Sequence, residues 1–148
     1  MRIRPATEND IEECVGIALG MILEGWWKDE PFSSEKMRDH AYKYLLDENK
    51  LFLVAEEEGT VYGFFSAKVT YTFFGHSVHG EEELLYVVPE KRTGTTALKF
   101  MREFEKWARS FDARHIYFAP TATQRRQWDA LSKRLGYTYL GPAYGKKL

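Results

Sequence analysis

The amino-acid sequence predicts an α/β (α+β) fold in which a central mixed, mostly antiparallel sheet is flanked by helices. Hydrophobic residues recur at helical spacing in some segments and at strand spacing in others, in the order β-α-α-β-β-β-α-β-α-β. The turn at 57–60 joins two strand segments directly, which indicates antiparallel neighbours. A chain of 148 residues suits one domain, and we expect residues 1–148 to form it.

The elements of the N-terminal half have clear beginnings and ends. A strand at 2–5 precedes Thr7 and Asp10, which have the spacing of a capping box. The first helix has an apolar stripe that includes Cys14, and it ends at Gly25. The later elements are a second helix from 33 or 34 to about 46, strands at 51–56 and 61–73, and a turn-rich link at 73–80.

The centre of the chain, 81–111, is a strand, a polar loop and an amphipathic helix. Residues 84–88 form the apolar strand, and a proline and a basic loop rich in glycine and threonine follow. The apolar residues after the loop recur on one helix face as far as Phe111. Unpaired N–H groups and the positive end of a helix meet at such a loop, so it is suited to binding phosphate.

The C-terminal part is predicted to alternate between strand and helix. A strand at 115–119 is followed by a helix at 124–135 with Trp128, Leu131 and Leu135 on its inner face. Gly136 has the position of a helix C-cap. A last strand is expected at 137–140, before a short final segment at 143–148.

Composition and charge exclude several classes of function. Hydrophobic residues make up 44% of the chain, charged residues 29%, and the formal net charge is -1, which disfavours general binding to nucleic acid or anionic lipid. The single cysteine, Cys14, excludes an internal disulfide and a cysteine-based metal cluster, and we expect no metal. The N-terminus is charged and no apolar run is long enough for a membrane span, so we expect a cytoplasmic protein.

Four local patterns together resemble the GNAT superfamily of N-acetyltransferases over essentially the whole chain. They lie at 3–10, 55–64, 87–98 and 131–137; the third resembles V-x-P-x-x-R-G-x-G-x-G-x-x-L and the fourth L-Y-x-K-x-G-F. The resemblance implies a GNAT-like fold and an acetyl-CoA-dependent acetyl transfer to a primary amine. The chain also resembles small stand-alone members, including ones carried by bacteriophages; if it is phage-encoded, the expected location is the host cytoplasm.

The resemblance implies that the loop after the central strand binds acetyl-CoA. Arg92 matches the arginine of the family motif, whereas Thr95 replaces the middle glycine; its side chain either crowds the phosphate or adds a donor. Loop amides would hold the pyrophosphate at the helix N-terminus. The expected site comprises the loop residues Arg92, Thr93, Gly94, Thr95, Thr96 and Ala97, the backbone of Leu85, Tyr86 and Val87 for pantetheine, and Arg125 near the nucleotide phosphates.

Acetyl transfer to an amine needs a general base, and three glutamates precede the central strand. Alternation along the strand puts Glu81 and Glu83 on one face and Glu82 on the other. Glu81 stands where some family members have a catalytic glutamate. We therefore expect Glu81 or Glu83 to be the base, the alternative being a solvated charge run. His79 is a further candidate, since an imidazole titrates near neutral pH.

The leaving thiolate is protonated by a tyrosine in many relatives, and Ser132 takes that position here. A thiol with a pKa of about 8.5 also leaves tolerably well without an acid. Tyr86, Tyr137 or a water molecule on Ser132 would otherwise serve as the proton donor.

The acceptor is expected in a cleft between the loop at 26–32, the link at 73–80 and the C-terminal segment. Trp26, Trp27 and Phe32 lie between charged residues there, and they either cap the core or line the cleft. With His79 they are the predicted substrate-binding residues, for a small-molecule or lysine-type amine. A catalytically silent CoA- or protein-binding module is the alternative function, and nucleic-acid binding is disfavoured. The sequence is also compatible with a homodimer.

Overall fold

The computed structural model describes residues 1–119, 125–141 and 143–147. Its elements are β1 (Arg2–Pro5), α1 (Ile11–Glu24), α2 (Ser34–Leu46), β2 (Lys50–Glu57), β3 (Thr60–Tyr71), β4 (Val78–Val87), α3 (Thr95–Arg109), β5 (His115–Tyr117) and α4 (Arg125–Leu135). Short 3-10 helices, Glu8–Asp10 and Pro89–Lys91, precede α1 and α3. Within the described ranges, none of the helices has the length and apolar character needed to cross a bilayer.

The strands form one five-stranded sheet in the order β1-β2-β3-β4-β5. The first three junctions are antiparallel and the β4–β5 junction is parallel. A parallel neighbour requires a crossover connection, and α3 provides it. The predicted α/β class, with a mixed and mostly antiparallel sheet flanked by helices, is confirmed.

Each face of the sheet has its own hydrophobic core. α1 and α2 cover one face, where Phe64 and Tyr86 are buried. α3 covers the other face, and the ring of Phe65 lies 5.8 Å from that of Phe100 and 5.3 Å from that of Phe104. Because Phe64 and Phe65 are successive residues of β3, the alternation of the strand anchors it to both cores.

The turn-rich link predicted at 73–80 is wrong over its last three residues, which already belong to β4. Histidine and glycine suggest a loop, but here Gly80 allows a close approach of other elements. A Cβ at Gly80 would lie 3.0 Å from Ile116 and 3.1 Å from Phe104. Packing between β4, β5 and α3 therefore decides the conformation of this segment.

The last strand, predicted at 137–140, is also wrong. The N–H of Tyr137 donates to the C=O of Ser132 at 2.9 Å, so the chain completes the end of α4 there. The predicted strand at 115–119 is shortened to His115–Tyr117. Tyr137 packs against the core under α3, but Tyr139 and Leu140 are 67% and 75% exposed, so the segment lacks the regularly buried face of a strand.

Gly63→Ala is expected to destabilise the protein, whereas Gly16→Ala is expected to stabilise it. A Cβ at Gly63 would lie 2.7 Å from the carbonyl oxygen of Tyr86, so the strands must move, at a cost on the order of 2 kcal/mol. A Cβ at the exposed Gly16 of α1 meets nothing within 4 Å, so alanine adds about 0.5–1 kcal/mol of helix propensity. Urea unfolding of both variants measures the difference, and equal stabilities would contradict the expectation.

Candidate active site

The strands β4 and β5 separate at one end of their pairing. The register runs only from His79 opposite His115 to Glu81 opposite Tyr117. One residue further along β4, the Glu82 carboxylate accepts a hydrogen bond from the N–H of Ala119 at 3.1 Å, in place of a backbone partner. Beyond Glu82, the outer edge of β4 has no neighbouring strand among the described residues. We call this gap the β4–β5 opening.

The backbone of β4 presents two residues to the β4–β5 opening. The N–H of Val88 donates to the C=O of Tyr62 on β3, and alternation turns the backbone of Tyr86 toward β3 as well. The N–H and C=O groups of Leu85 and Val87 therefore face the opening. Of the three residues predicted to contact pantetheine through their backbone, Tyr86 does not face the opening.

A β-bulge sets the directions of the glutamate side chains. The pairing with β3 shifts between Ser66, opposite Leu84, and Ala67, opposite Glu82, so Glu83 is the extra residue. Leu84 packs against the core under α1 and α2, and Glu83 contacts His40 on α2. Two successive residues thus point to the same face of the sheet, which strict alternation would forbid.

Two histidine–glutamate pairs lie on the α2 face of the sheet. His79 Nε2 is 2.7 Å from one oxygen of Glu81, and Lys68 Nζ is 3.5 Å from the other. His40 Nε2 is 2.8 Å from Glu83 Oε2. Glu81 and Glu83 therefore share a face, as the sequence predicts. His40 is an addition that the sequence does not indicate, because its helical position resembles that of any core-edge histidine.

The three glutamates have different electrostatic environments. The hydrogen bond with His79 is the main cause that lowers the pKa of Glu81, and the bond with His40 lowers that of Glu83. Both carboxylates are therefore ionised at neutral pH. Burial raises the pKa of Glu82 to about 7, although the Ala119 N–H opposes this effect. The carboxylate at the neck of the β4–β5 opening thus titrates near neutrality.

The loop before α3 leaves the helix N-terminus accessible. Gly94 has a φ of 78° and caps α3 without a side-chain hydrogen bond, and the first turn contains no acidic residue. Thr93 and Thr95 are exposed, with their hydroxyls 2.9 Å apart. Thr96 is buried and its hydroxyl donates to the sulfur of Met1 at 3.4 Å, so that hydroxyl is directed away from the loop surface. The arrangement fits an anion bound by loop amides and the two exposed hydroxyls.

Arg92 is held against the end of β4 and the end of α1. Its Nε donates to the C=O of Val87 at 2.7 Å, and its Nη2 lies 2.8 and 3.0 Å from the two oxygens of Glu24. The guanidinium carbon is 5.1 Å from the ring centre of Tyr86. The Tyr86 hydroxyl also donates to Glu24, at 2.6 Å. Glu24 is therefore a site residue that no local motif indicates.

The tyrosine in this network is a weak proton donor. Burial, followed by the contact with Glu24, raises the pKa of Tyr86 to about 12. The pKa of Glu24 is lowered, because the hydrogen bonds from Tyr86 and Arg92 outweigh the opposing effect of burial. The hydroxyl of Tyr86 is thus fixed to a carboxylate, and this arrangement does not support its predicted role as an acid.

The loop after α1 meets the C-terminal segment. A Cβ at Gly145 would lie 3.1 Å from the ring of Trp26. Lys147 forms an ion pair with Asp29, and its ammonium nitrogen is 5.9 Å from a ring centre of Trp26. Trp26 is 49% exposed, which leaves part of its ring available to a ligand.

The other residues predicted for the site lie in different parts of the structure. Trp27 is half exposed, whereas Phe32 packs against the core under α1 and α2. Ala97 lies partly buried in the first turn of α3. Ser132 is partly buried in α4, and the described contacts do not connect its hydroxyl to β4. Arg125 begins α4, and its side chain lies outside the described part of the structure.

Comparison with known proteins connects this geometry to one family. A sequence model described as "Acetyltransferase (GNAT) family" matches residues 19–137. No curated protein sequence matches the chain significantly.

Several solved structures have the same fold. An aminoglycoside antibiotic 6'-N-acetyltransferase from Acinetobacter haemolyticus is 20% identical, with a TM-score of 0.75 over 100% of this chain and 99% of that one. A predicted acetyltransferase with acetyl-CoA from Clostridium acetobutylicum is 14% identical, with a TM-score of 0.78 over 99% and 95%. A ribosomal-protein-alanine N-acetyltransferase from Brucella melitensis biovar Abortus 2308 is 14% identical, with a TM-score of 0.72 over 100% of both chains.

Glu82→Gln is expected to make the protein more stable above pH 7. The pKa of Glu82 is raised from 4.5 to about 7, so the folded state binds more protons than the unfolded state between these values. The contribution of Glu82 to stability therefore falls as the pH rises through that window, by about 3 kcal/mol. Glutamine keeps an acceptor for Ala119. Urea unfolding from pH 4 to 8 should give a difference between variant and wild type that grows with pH, and a constant difference would contradict this expectation.

Proposed function

The chain belongs to the acetyltransferase (GNAT) family, and on that basis we propose that it transfers an acetyl group from acetyl-CoA to a primary amine. One observation carries the proposal. The free edge of β4 connects the accessible N-terminus of α3 to the ionised carboxylates of Glu81 and Glu83. The strand β4 thus brings together a site for an anion, backbone N–H donors and a candidate general base.

The residues of the β4–β5 opening fit the parts of an acyl-CoA molecule. Arg92, Thr93, Thr95 and the N–H groups around Gly94 would hold the diphosphate. A Cβ added at Gly94 would meet nothing within 4 Å, so the loop is not filled by the protein itself. The backbone of Leu85 and the N–H of Val87 would bind the pantetheine arm, because the C=O of Val87 already accepts from Arg92.

The chemistry needs a base and an electrophile. When bound, acetyl-CoA supplies a thioester whose C–S bond breaks as the amine nitrogen attacks the carbonyl carbon and the thiolate leaves. The N–H of Leu85 or of Val87, which face the β4–β5 opening, would polarise the carbonyl oxygen. Glu81, oriented by His79, would accept the amine proton directly or through water. Glu83, held by His40, is the alternative base.

The acceptor is proposed to be a cationic small-molecule or lysine-type amine. Glu81 and Glu83 supply negative charge, and the exposed part of the Trp26 ring supplies an apolar or cation–π contact. One of the similar folds is an aminoglycoside 6'-N-acetyltransferase, which supports an amine acceptor in general terms. The acceptor itself, the oligomeric state and the cytoplasmic location stay predictions.

A catalytically silent CoA-binding module is the second candidate. The lack of an evident acid for the leaving thiolate favours it, since the described contacts do not connect Ser132 to β4 and the Tyr86 hydroxyl is held by Glu24. Binding of acetyl-CoA without release of free thiol, tested over a broad panel of amines, would distinguish this module from an enzyme.

Acetyl-CoA at about one hundred times its Kd is expected to raise the melting temperature by roughly 5–10 °C, because a ligand of the native state stabilises it by about 2.7 kcal/mol. Arg92→Ala should reduce this shift. Arg38→Ala is the matched control, since Arg38 also holds a glutamate, Glu12, but lies on α2. A thermal-shift assay measures all three proteins. No shift in the wild type at millimolar acetyl-CoA would exclude the proposed donor.

Glu81→Gln is expected to lower kcat about a hundredfold, because removal of a general base typically costs that much. The Kd of acetyl-CoA should stay within about twofold, since Glu81 is assigned to the amine proton and not to the donor. Thiol release with a panel of primary amines measures kcat. Glu83→Gln is the matched variant, and a larger loss in Glu83→Gln would assign the base to Glu83 instead.

A further inference from the structure

Glu24 occupies an electrostatically unfavourable place in α1. It is the last residue of the helix, where unpaired carbonyl groups and the negative end of the helix dipole repel a carboxylate. Its stabilisation comes from outside the helix, through the hydrogen bonds from Tyr86 and Arg92. The Glu24 carboxylate is thus held by the donors of another element and not by its own helix.

The donors around Glu24 are also those that an anionic ligand would use. Nη2 of Arg92 contacts both carboxylate oxygens of Glu24, and a phosphate oxygen accepts a hydrogen bond from a guanidinium in the same way. Arg92 directly precedes the loop that leads to the N-terminus of α3. The neighbouring cation, Lys91, is already paired with Glu57 and lies 4.6 Å from the ring centre of Tyr62. Glu24 and a ligand anion therefore compete for Arg92.

We propose that Glu24 is an internal anion that occupies Arg92 until the diphosphate of the acyl donor displaces it. The inference rests on the proposed function for the identity of the donor. The bond from Arg92 Nε to the C=O of Val87 can persist while Nη2 changes partner, so the exchange needs only a local movement. Glu24 consequently sets the affinity for the donor, and donor binding releases the end of α1 next to Trp26.

The test is isothermal titration of wild type and Glu24→Gln with acetyl-CoA and, separately, with inorganic pyrophosphate. Glutamine keeps an acceptor for the Tyr86 hydroxyl but lacks the charge that competes for Arg92. At about 0.1 M salt, both ligands should bind roughly threefold to tenfold more tightly to the variant, the range expected when a partly exposed ion pair no longer competes. Glu24→Ala should behave similarly, and thermal unfolding verifies that each variant is folded.

Glu12→Gln is the matched control, because Glu12 also lies in α1 and is held by an arginine, Arg38, through two hydrogen bonds. It makes the same change in net charge and should leave both affinities unchanged. In an Arg92→Ala background, Glu24→Gln should no longer change either affinity, because the guanidinium for which Glu24 and the ligand compete is absent.

Each outcome decides between distinct conclusions. If Glu24→Gln leaves binding of both ligands unchanged or weakens it, or if neither ligand binds either protein, the inference is wrong and Glu24 is at most a positioning residue for Arg92. If only pyrophosphate binds, and more tightly to Glu24→Gln, the competition is supported while acetyl-CoA fails as the donor. If Glu12→Gln raises both affinities as much as Glu24→Gln does, the change in net charge explains the result and the inference is wrong.

Discussion

The early end of the β4–β5 pairing is the constraint on which the site depends. Three residue pairs join the strands, and the side chain of the next β4 residue, Glu82, accepts from Ala119, which follows β5. The polar backbone groups of Leu85 and Val87 therefore need partners from outside the sheet. α3 starts shortly after β4 and is fixed by Phe100 and Phe104, which are fully buried. A free strand edge and an accessible helix N-terminus are thus held close together by the same core.

One extra residue in β4 separates three adjacent carboxylates into different roles. The bulge turns Glu83 to the α2 face beside Leu84, while Glu82 lies at the neck of the β4–β5 opening. Glu81 and Glu83 gain histidine partners and stay ionised, whereas Glu82 is partly desolvated and titrates near neutrality. Local backbone geometry therefore produces electrostatic differences among residues of identical chemistry.

The sequence predicts the type and order of most elements, because periodicity and turn chemistry are local properties. It also places Arg92 and Gly94 at the loop before α3. It does not indicate Glu24 or His40, whose partners Arg92 and Glu83 are 68 and 43 residues away. Packing between distant elements likewise determines the bulge in β4, the position of Gly80 in a strand and the lack of a strand at 137–140. Local sequence patterns therefore cannot specify them.

The contact between the loop after α1 and the C-terminal segment has a consequence for folding. Asp29 and Lys147 are separated by 118 positions, so their ion pair closes a long stretch of chain, which is entropically costly and slow. In a folding intermediate in which only α1 and the first strands have packed, Trp26 lacks the cover of Gly145. The surface around Trp26 is therefore complete only once the C-terminal segment has docked.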